Sequence, residues 1–348
     1  MAITINKGLS GQYFSGNIPD MEIGVTTDRL GVIIDVSNDS QSWTEIFSET
    51  LYPIGGIVTL RDLSSLVQPW AEDMLSLQMR LRMLDYADAD ETITIDVVYC
   101  DADLPTTCEE WTRTRFLTLL DGEKTTDVGR LEYLHYIGSD AAQAVATYDD
   151  GSEQTFNVGA VGGNSRFTTI DVSPGNFVSQ GKNLVRYEIT AGDRHQDYII
   201  DPDHPDCAPV LLFVNSFGVD ELAYCFGLHT KAPTFARSSA YIDGLYTNYS
   251  IVETRTFKAD TGVMNEEEAF WFGEVFRSKY IRIVTFNNGQ PNVGRAVVIT
   301  DSKSEQTNDP AELIRFTFSY QYAQKNQNVV YETREGRIFD NTFDYTFD

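Results

Sequence analysis

The sequence predicts a mainly β protein: two or three antiparallel β-sandwich-like domains with one or two short helices. Three observations predict it. Short segments with apolar residues at every second position recur along the chain. Turn residues separate them at short intervals, as in sandwiches and barrels. Only two segments carry a helical period with start signals.

Taken in order, strands are predicted over 29–36, 43–51 and 57–61. RDLSSLVQPW, residues 61–70, reads as a short helix capped by Asp62, with Leu63, Leu66 and Val67 inward and Pro69 limiting its length. LSLQMRLRM, 75–83, sets Leu75, Leu77, Met79, Leu81 and Met83 against Ser76, Gln78, Arg80 and Arg82. TITIDVVY, 92–99, alternates through Ile93, Ile95, Val97 and Tyr99. The two read as an antiparallel hairpin with one wet face. Further strands are predicted at 114–120 and 131–137. AVATYDDGSEQTFNV, 144–158, is a clearer hairpin, because Asp150 and Gly151 supply the positive φ its turn needs. Strands follow at 166–172, 184–190, 210–215, 250–258, 279–286, 295–300 and 313–322. NEEEAFWFGEVFRS, 265–278, is the stronger helix: Asn265 is the N-cap, Glu268 closes a capping box, and Ala269, Phe272, Val275 and Phe276 form the apolar stripe. Breaks near 121–130 and at DPDHPDCAPV, 201–210, divide the chain into 1–125, 126–205 and 206–336, followed by a strand or arm over 337–348.

The 348 residues are 42% hydrophobic, enough for real cores, but 26 basic against 52 acidic residues leave a formal charge of −26. Such a chain repels phosphate backbones and anionic lipid surfaces, so neither nucleic acid nor membrane is an expected partner. No apolar run reaches the ~20 residues of a membrane-spanning helix. MAITINKGLSGQ lacks the basic and apolar regions of a secretory signal, which leads us to expect a cytosolic product with reduced thiols at Cys100, Cys108, Cys207 and Cys225.

Candidate chemistry is thin. DPDHPDC gathers Asp201, Asp203, His204, Asp206 and Cys207, yet no paired zinc-ligand spacing accompanies them. DYADADE, 85–91, and DADLPTTCEE, 101–110, collect carboxylates without the twelve-residue calcium loop. There is no GxSxG. VGAVGGNSR, 158–166, matches no phosphate loop and reads as a flexible connection. His135, His195, His204 and His229 stand in no nucleophile pattern. We therefore expect no enzyme, no catalytic residue, no metal and no cofactor. Aromatics make up 12% of the chain. Exposed ones, the tryptophans among them, would suit sugar rings, so a carbohydrate-binding or adhesin module, possibly itself on a virion, is the alternative function class.

Residues 337–348, RIFDNTFDYTFD, put Phe339, Phe343, Tyr345 and Phe347 on one face of a strand and Asp340, Asp344 and Asp348 on the other. Burying the four aromatics yields on the order of 15–25 kcal/mol at most. Ordering the segment costs roughly 18 kcal/mol. The balance predicts a segment that orders only by pairing with an open sheet edge, either as the last strand of its own domain or as an interaction arm on a neighbouring subunit.

LLFVNSFGVDELAYCFG (211–227), ETLYPIGGIVTLRDLSSLV (49–67) and GRIFDNTFDYTF (336–347) together resemble virion structural proteins of tail or baseplate type from tailed phages and prophages of gut anaerobes. The resemblance implies a non-enzymatic structural component of a phage tail or baseplate. It would be located in the virion and act through contacts with further copies of itself or with other virion structural proteins. No catalytic residue is carried over by it.

Overall fold

The structure is a computed structural model that describes residues 3–85, 89–203, 207–287, 290–305 and 312–325. Strands take 55% of the described residues and helices 11%, so the fold is mainly β, with sandwich-like antiparallel sheets.

The chain forms two compact units, each drawn from separate stretches. Of the described residues, unit 1 takes those within 3–118, 133–197 and 216–219, and unit 2 those within 119–132, 198–215 and 220–325. In chain order the elements begin with β1 (Ile3–Lys7), β2 (Gln12–Phe14), β3 (Met21–Val25), β4 (Leu30–Ser37), β5 (Thr44–Leu51), β6 (Ile57–Leu60), α1 (Leu63–Met74), β7 (Ser76–Asp85), β8 (Ala89–Val98) and α2 (Cys108–Thr114). Next are β9 (Glu123–Thr126), β10 (Tyr133–Ile137), β11 (Ala142–Tyr148), β12 (Glu153–Val158), β13 (Ala160–Gly163), β14 (Phe167–Asp171), β15 (Leu184–Ala191) and β16 (Arg194–Ile200). The remainder are β17 (Val210–Val214), β18 (Asp220–Tyr224), β19 (Thr230–Ile242), β20 (Leu245–Asp260), α3 (Glu266–Arg277), β21 (Ile281–Asn287), β22 (Gln290–Lys303) and β23 (Thr317–Tyr322).

In unit 1, the sheet β1-β3-β6 and the sheet β2-β8-β7-β4-β5 share one core. Met21, Ile23 and Val58 from the first meet Val32, Ile34, Leu77, Met79 and Leu81 from the second. The predicted 75–99 hairpin forms, in the register Met79↔Ile95 and Leu81↔Ile93. Its wet face carries Arg80 and Arg82, which converge from β7 on Asp35 of β4 at 2.9 and 2.7 Å. Helix α1 buries Leu63, Val67 and Ala71 against this core and runs through Pro69 to Met74, further than its proline suggests. Asp62 does not cap it through a side-chain bond to the backbone: the residue is left-handed, and its carboxylate accepts from Ser65 Oγ at 2.6 Å.

The predicted 144–158 hairpin is β11–β12, turning at Gly151 with φ 76°. It lies in the order β12-β11-β15-β16, while β10-β14-β13 forms a three-stranded sheet. Tyr187 Oη donates to Val172 O at 3.0 Å and Tyr148 Oη to Phe177 O at 2.8 Å. Part of the expected glycine-rich connection is thus the edge strand β13. Gly163 is required there, because a Cβ would lie 2.2 Å from Phe167 O. The expected strand 114–120 is absent: α2 ends at Thr114, and Phe116, Leu117, Leu119 and Leu120 are buried without laddering. A continuous apolar run does not reveal its backbone state.

Two anchors, one polar and one aromatic, hold unit 1. Arg194 is 6% exposed. It donates to Thr112 O, an end carbonyl of α2, at 2.8 Å through Nε, and to Ile137 O at 2.8 Å and Ala191 O at 3.1 Å. The guanidinium also pairs with Asp140 at 2.8 Å and covers the Tyr136 ring. Far along the chain, residues 216–219 return to this unit. Phe217 inserts between Phe14 (6.1 Å) and Trp111 (5.6 Å), and Asp101 N donates to Ser216 O at 3.0 Å.

Unit 2 is a seven-stranded sheet, β18-β17-β21-β22-β23-β20-β19, with α3 against it. The predicted capping box is present: Glu268 N donates to Asn265 Oδ1 at 2.7 Å, and Asn265 N returns to Glu268 Oε2 at 3.2 Å. Phe272 of α3 packs on Phe276, Phe316 and Phe318 at 5.5, 6.4 and 6.1 Å, and Trp271 packs on Phe213 at 5.8 Å. A buried ion pair, Lys124–Glu132 at 2.6 Å, receives Thr126 Oγ1 at 3.0 Å, so its charges have partners.

Candidate interaction ribbon

The most unusual element is the pair β19–β20. Asp243 and Gly244 join the strands with φ of 52° and 82°, the double positive φ of a tight hairpin turn. The pairing runs from Thr230↔Lys258 to Ile242↔Leu245, with a bulge at Ser238/Ser239 that leaves Tyr249 unpaired. On its other side β20 meets β23 only through Thr256–Asp260. Among the described residues, 245–255 therefore have β19 as their one ladder partner, and β19 ends the sheet. At about 3.3 Å per residue, this two-stranded ribbon runs roughly 36 Å beyond the sheet.

Both of its faces are exposed. Every residue of β19 is exposed except Ala240, which is half-buried, and all of 245–252 are exposed. Tyr246 is 81% exposed, Leu245 71%, Tyr249 69% and Tyr241 65%. Ile242, Ile251, Val252 and Phe235 add further exposed apolar surface. Tyr241 and Tyr246 meet edge to face at 5.1 Å across the strands, and Arg237 covers Phe235. Over 232–252 the only charges are Arg237 and Asp243, +1 − 1 = 0, within a chain of −26. Eight such side chains, about half to four-fifths exposed, present roughly 700–1,000 Å² of apolar surface, more than the few hundred Å² usual for a monomer. Two strands without a third are marginal in water. Pro233 blunts the β19 edge at its root, while the bulge, whose extra residue is in β20, lies midway along the ribbon and no lysine guards 234–257.

The sequence reading found β20 in part (250–258) and missed β19 altogether. Alternation fails there because neither face is buried. The available signal was Asp243-Gly244 between Tyr241-Ile242 and Leu245-Tyr246. The aromatic arm named from sequence, Phe339, Phe343, Tyr345 and Phe347, lies outside the described residues, as do His204 and Asp206.

The other candidates have structural roles. DADLPTTCEE forms the start of α2: Thr107 accepts from Glu110 N at 3.3 Å, and Glu109 and Glu110 occupy the first turn, favourable for the helix dipole. Among the described residues, no three His, Cys, Asp or Glu side chains are grouped to hold a metal ion. His135 Nδ1 lies 2.9 Å from Thr169 Oγ1 on the paired strand, and His195 Nε2 lies 3.1 Å from Asp197. His229 Nε2 lies 2.8 Å from Tyr320 Oη, and burial lowers its pKa. None of the four cysteines is in a disulfide, and burial raises Cys108 and Cys225 above the usual thiol range.

Unit 1 also has a polar cleft of about 450 Å³ lined by Asn38, Asp39, Ser40, Asp96, Gly138 and Arg166. Arg166 donates to Asp96 at 3.0 Å and to Asn38 O at 3.2 Å. Asp39 accepts from Ser42 N, Gln41 N and Ser37 Oγ at 2.7, 2.8 and 3.0 Å, bonds that hold its pKa at about 2. Among the described residues, no helix is long and apolar enough to cross a membrane.

The chain matches no protein-family profile and no curated protein. Among solved structures it is similar to the periplasmic chaperone SfaE, at 9% identity and a TM-score of 0.22, over 57% of this chain and 100% of that one. A Ca²⁺-stabilized adhesin with which an Antarctic bacterium binds ice gives 9% and 0.15, over 92% and 73%. The Bacteroides ovatus protein SGBP-B, solved with a mixed-linkage heptasaccharide, gives 11% and 0.16, over 88% and 75%. Likenesses at such TM-scores assign neither family nor ligand.

Proposed function

We propose that this protein is a non-enzymatic structural component of a virion, of phage tail or baseplate type, working by protein–protein contact through the β19–β20 ribbon. Its partners are further copies of the chain or other virion structural proteins, with neither nucleic acid nor membrane among them. The supporting observation is the ribbon itself: two strands, exposed on both faces, uncharged overall and rich in tyrosine. Water does not reward such an element, whereas a partner that supplies a third strand and covers the aromatics does.

The test is a chain in which 234–254 is replaced by an Asn-Gly turn. Little is buried there, so its melting temperature should stay within a few degrees of the parent while incorporation into particles is lost. Unimpaired incorporation, or a collapse of the melting temperature, would refute the reading. Truncation after Gly336, in the same assay, tests Phe339, Phe343, Tyr345 and Phe347. The polar cleft with Arg166, Asp39 and Asp96 favours one second reading, a sugar-binding module, which a glycan array would reveal.

A further inference from the structure

We infer that the ribbon's occupant is the ribbon of a second copy of this chain, an inference that rests on the docking reading above. Charge selects this partner. The chain carries −26 while 232–252 sums to zero. A basic protein would be steered to the acidic faces, leaving the neutral ribbon unused. Another copy is repelled by those same faces and meets no repulsion at the ribbon. The ribbon tip lies roughly 36 Å from its root. That is several Debye lengths at physiological salt, about 8 Å each, so two tips meet with their sheets' charges screened from one another.

Area agrees with charge. A stable pair buries about 800 Å² per partner; the side chains of one ribbon face, Phe235, Tyr241, Tyr246 and Ile251, supply roughly half of it and the β19 edge adds to that. The contact is self-complementary. Tyr241 and Tyr246, which share one face, need apolar cover and no countercharge, and the same pair on a second copy provides it. Among the described residues no strand pairs the outer edge of β19, and an antiparallel copy of itself would satisfy its main-chain groups about a two-fold axis.

A charge-swap experiment tests this. Two full-length variants are made, Leu245→Glu/Tyr246→Glu and Leu245→Lys/Tyr246→Lys. Both positions are exposed, so the melting temperatures should match that of the parent. At tens of micromolar the parent should have a mass at a multiple of 39.1 kDa. Each variant alone should fall to the single-chain mass, and an equimolar mixture should recover the multiple. The control Ile54→Glu, at an 89% exposed residue of unit 1, should leave the parent's mass unchanged. A single-chain mass for the parent, a multiple retained by either charged variant, or a mixture that stays single-chain would each overturn the inference. If the parent is single-chain and the ribbon-deleted protein still fails to enter particles, docking stands and the partner is another protein. If deletion leaves incorporation intact, the docking reading itself falls.

Discussion

Arg194→Ala should be among the most damaging single changes in unit 1. The guanidinium satisfies three main-chain carbonyls, Thr112 O, Ile137 O and Ala191 O, and is 6% exposed. Each carbonyl left without a donor costs about 1–3 kcal/mol, giving a raw sum of roughly 3–9. Some water entry and relaxation bring the expected loss to about 3–5 kcal/mol, in line with breaking buried charged networks. Asp140 is 53% exposed and adds little. Lysine lacks the planar fork, so Arg194→Lys should recover under half of the loss. Guanidinium chloride unfolding followed by tryptophan emission should show a midpoint lowered by roughly 1 M. Trp111, one residue from Thr112, is a suitable reporter. The internal control is Arg113→Ala. Its 2.7 Å pair with Asp193 is as short, but the two side chains are 59% and 63% exposed, so it should cost under about 1 kcal/mol. Equal midpoints for Arg194→Ala and Arg113→Ala would refute the carbonyl argument.

Asp35 is buried, which alone would raise its pKa, but hydrogen bonds from Arg82 and Arg80 lower it on balance. Its stabilisation is therefore present above the ordinary value of 3.8 and lost as pH falls through the lower folded value. Asp35→Asn should cost about 2–3 kcal/mol at neutral pH and flatten acid unfolding below pH ~4. An unchanged acid profile would contradict this. Burial holds His229 below the ordinary imidazole value of 6.5, so the folded state resists protonation and acidification through that range destabilises it. An imidazole NMR titration midpoint at or above 6.5 would be the wrong result. A thiol reagent should modify half-buried Cys207 quickly and buried Cys100, Cys108 and Cys225 slowly, with four groups titrating after denaturation. Two groups after denaturation would mean a disulfide.

What could be read from the sequence tracks what is buried. The 75–99 hairpin was legible because Leu77, Met79 and Leu81 have one buried face and one wet one. The 144–158 hairpin was legible through Gly151, and α3 through Asn265 and Glu268, all local chemistry. Helix α2 carried a comparable signal, Thr107 with Glu110, but so many acids surround it that the segment read as a loop. The ribbon was the least legible element and is the most informative. A strand with no core to face has no reason to alternate, and period-based reading assumes a core.

The late return of residues 216–219 to unit 1 has a consequence for synthesis. Phe14 and Trp111 emerge from the ribosome long before Phe217, which lies between them, has been made. Roughly 100 residues separate Trp111 from Phe217, and at about 5–20 residues per second that is on the order of 5–20 s. Through that interval the nascent unit presents an unfilled aromatic slot. The chain changes unit at five points, after 118, 132, 197, 215 and 219, so neither unit is covalently complete until translation has passed the last of them. Folding of unit 1 is thereby timed by elongation, and a holdase that shields the slot has a window of seconds in which to act.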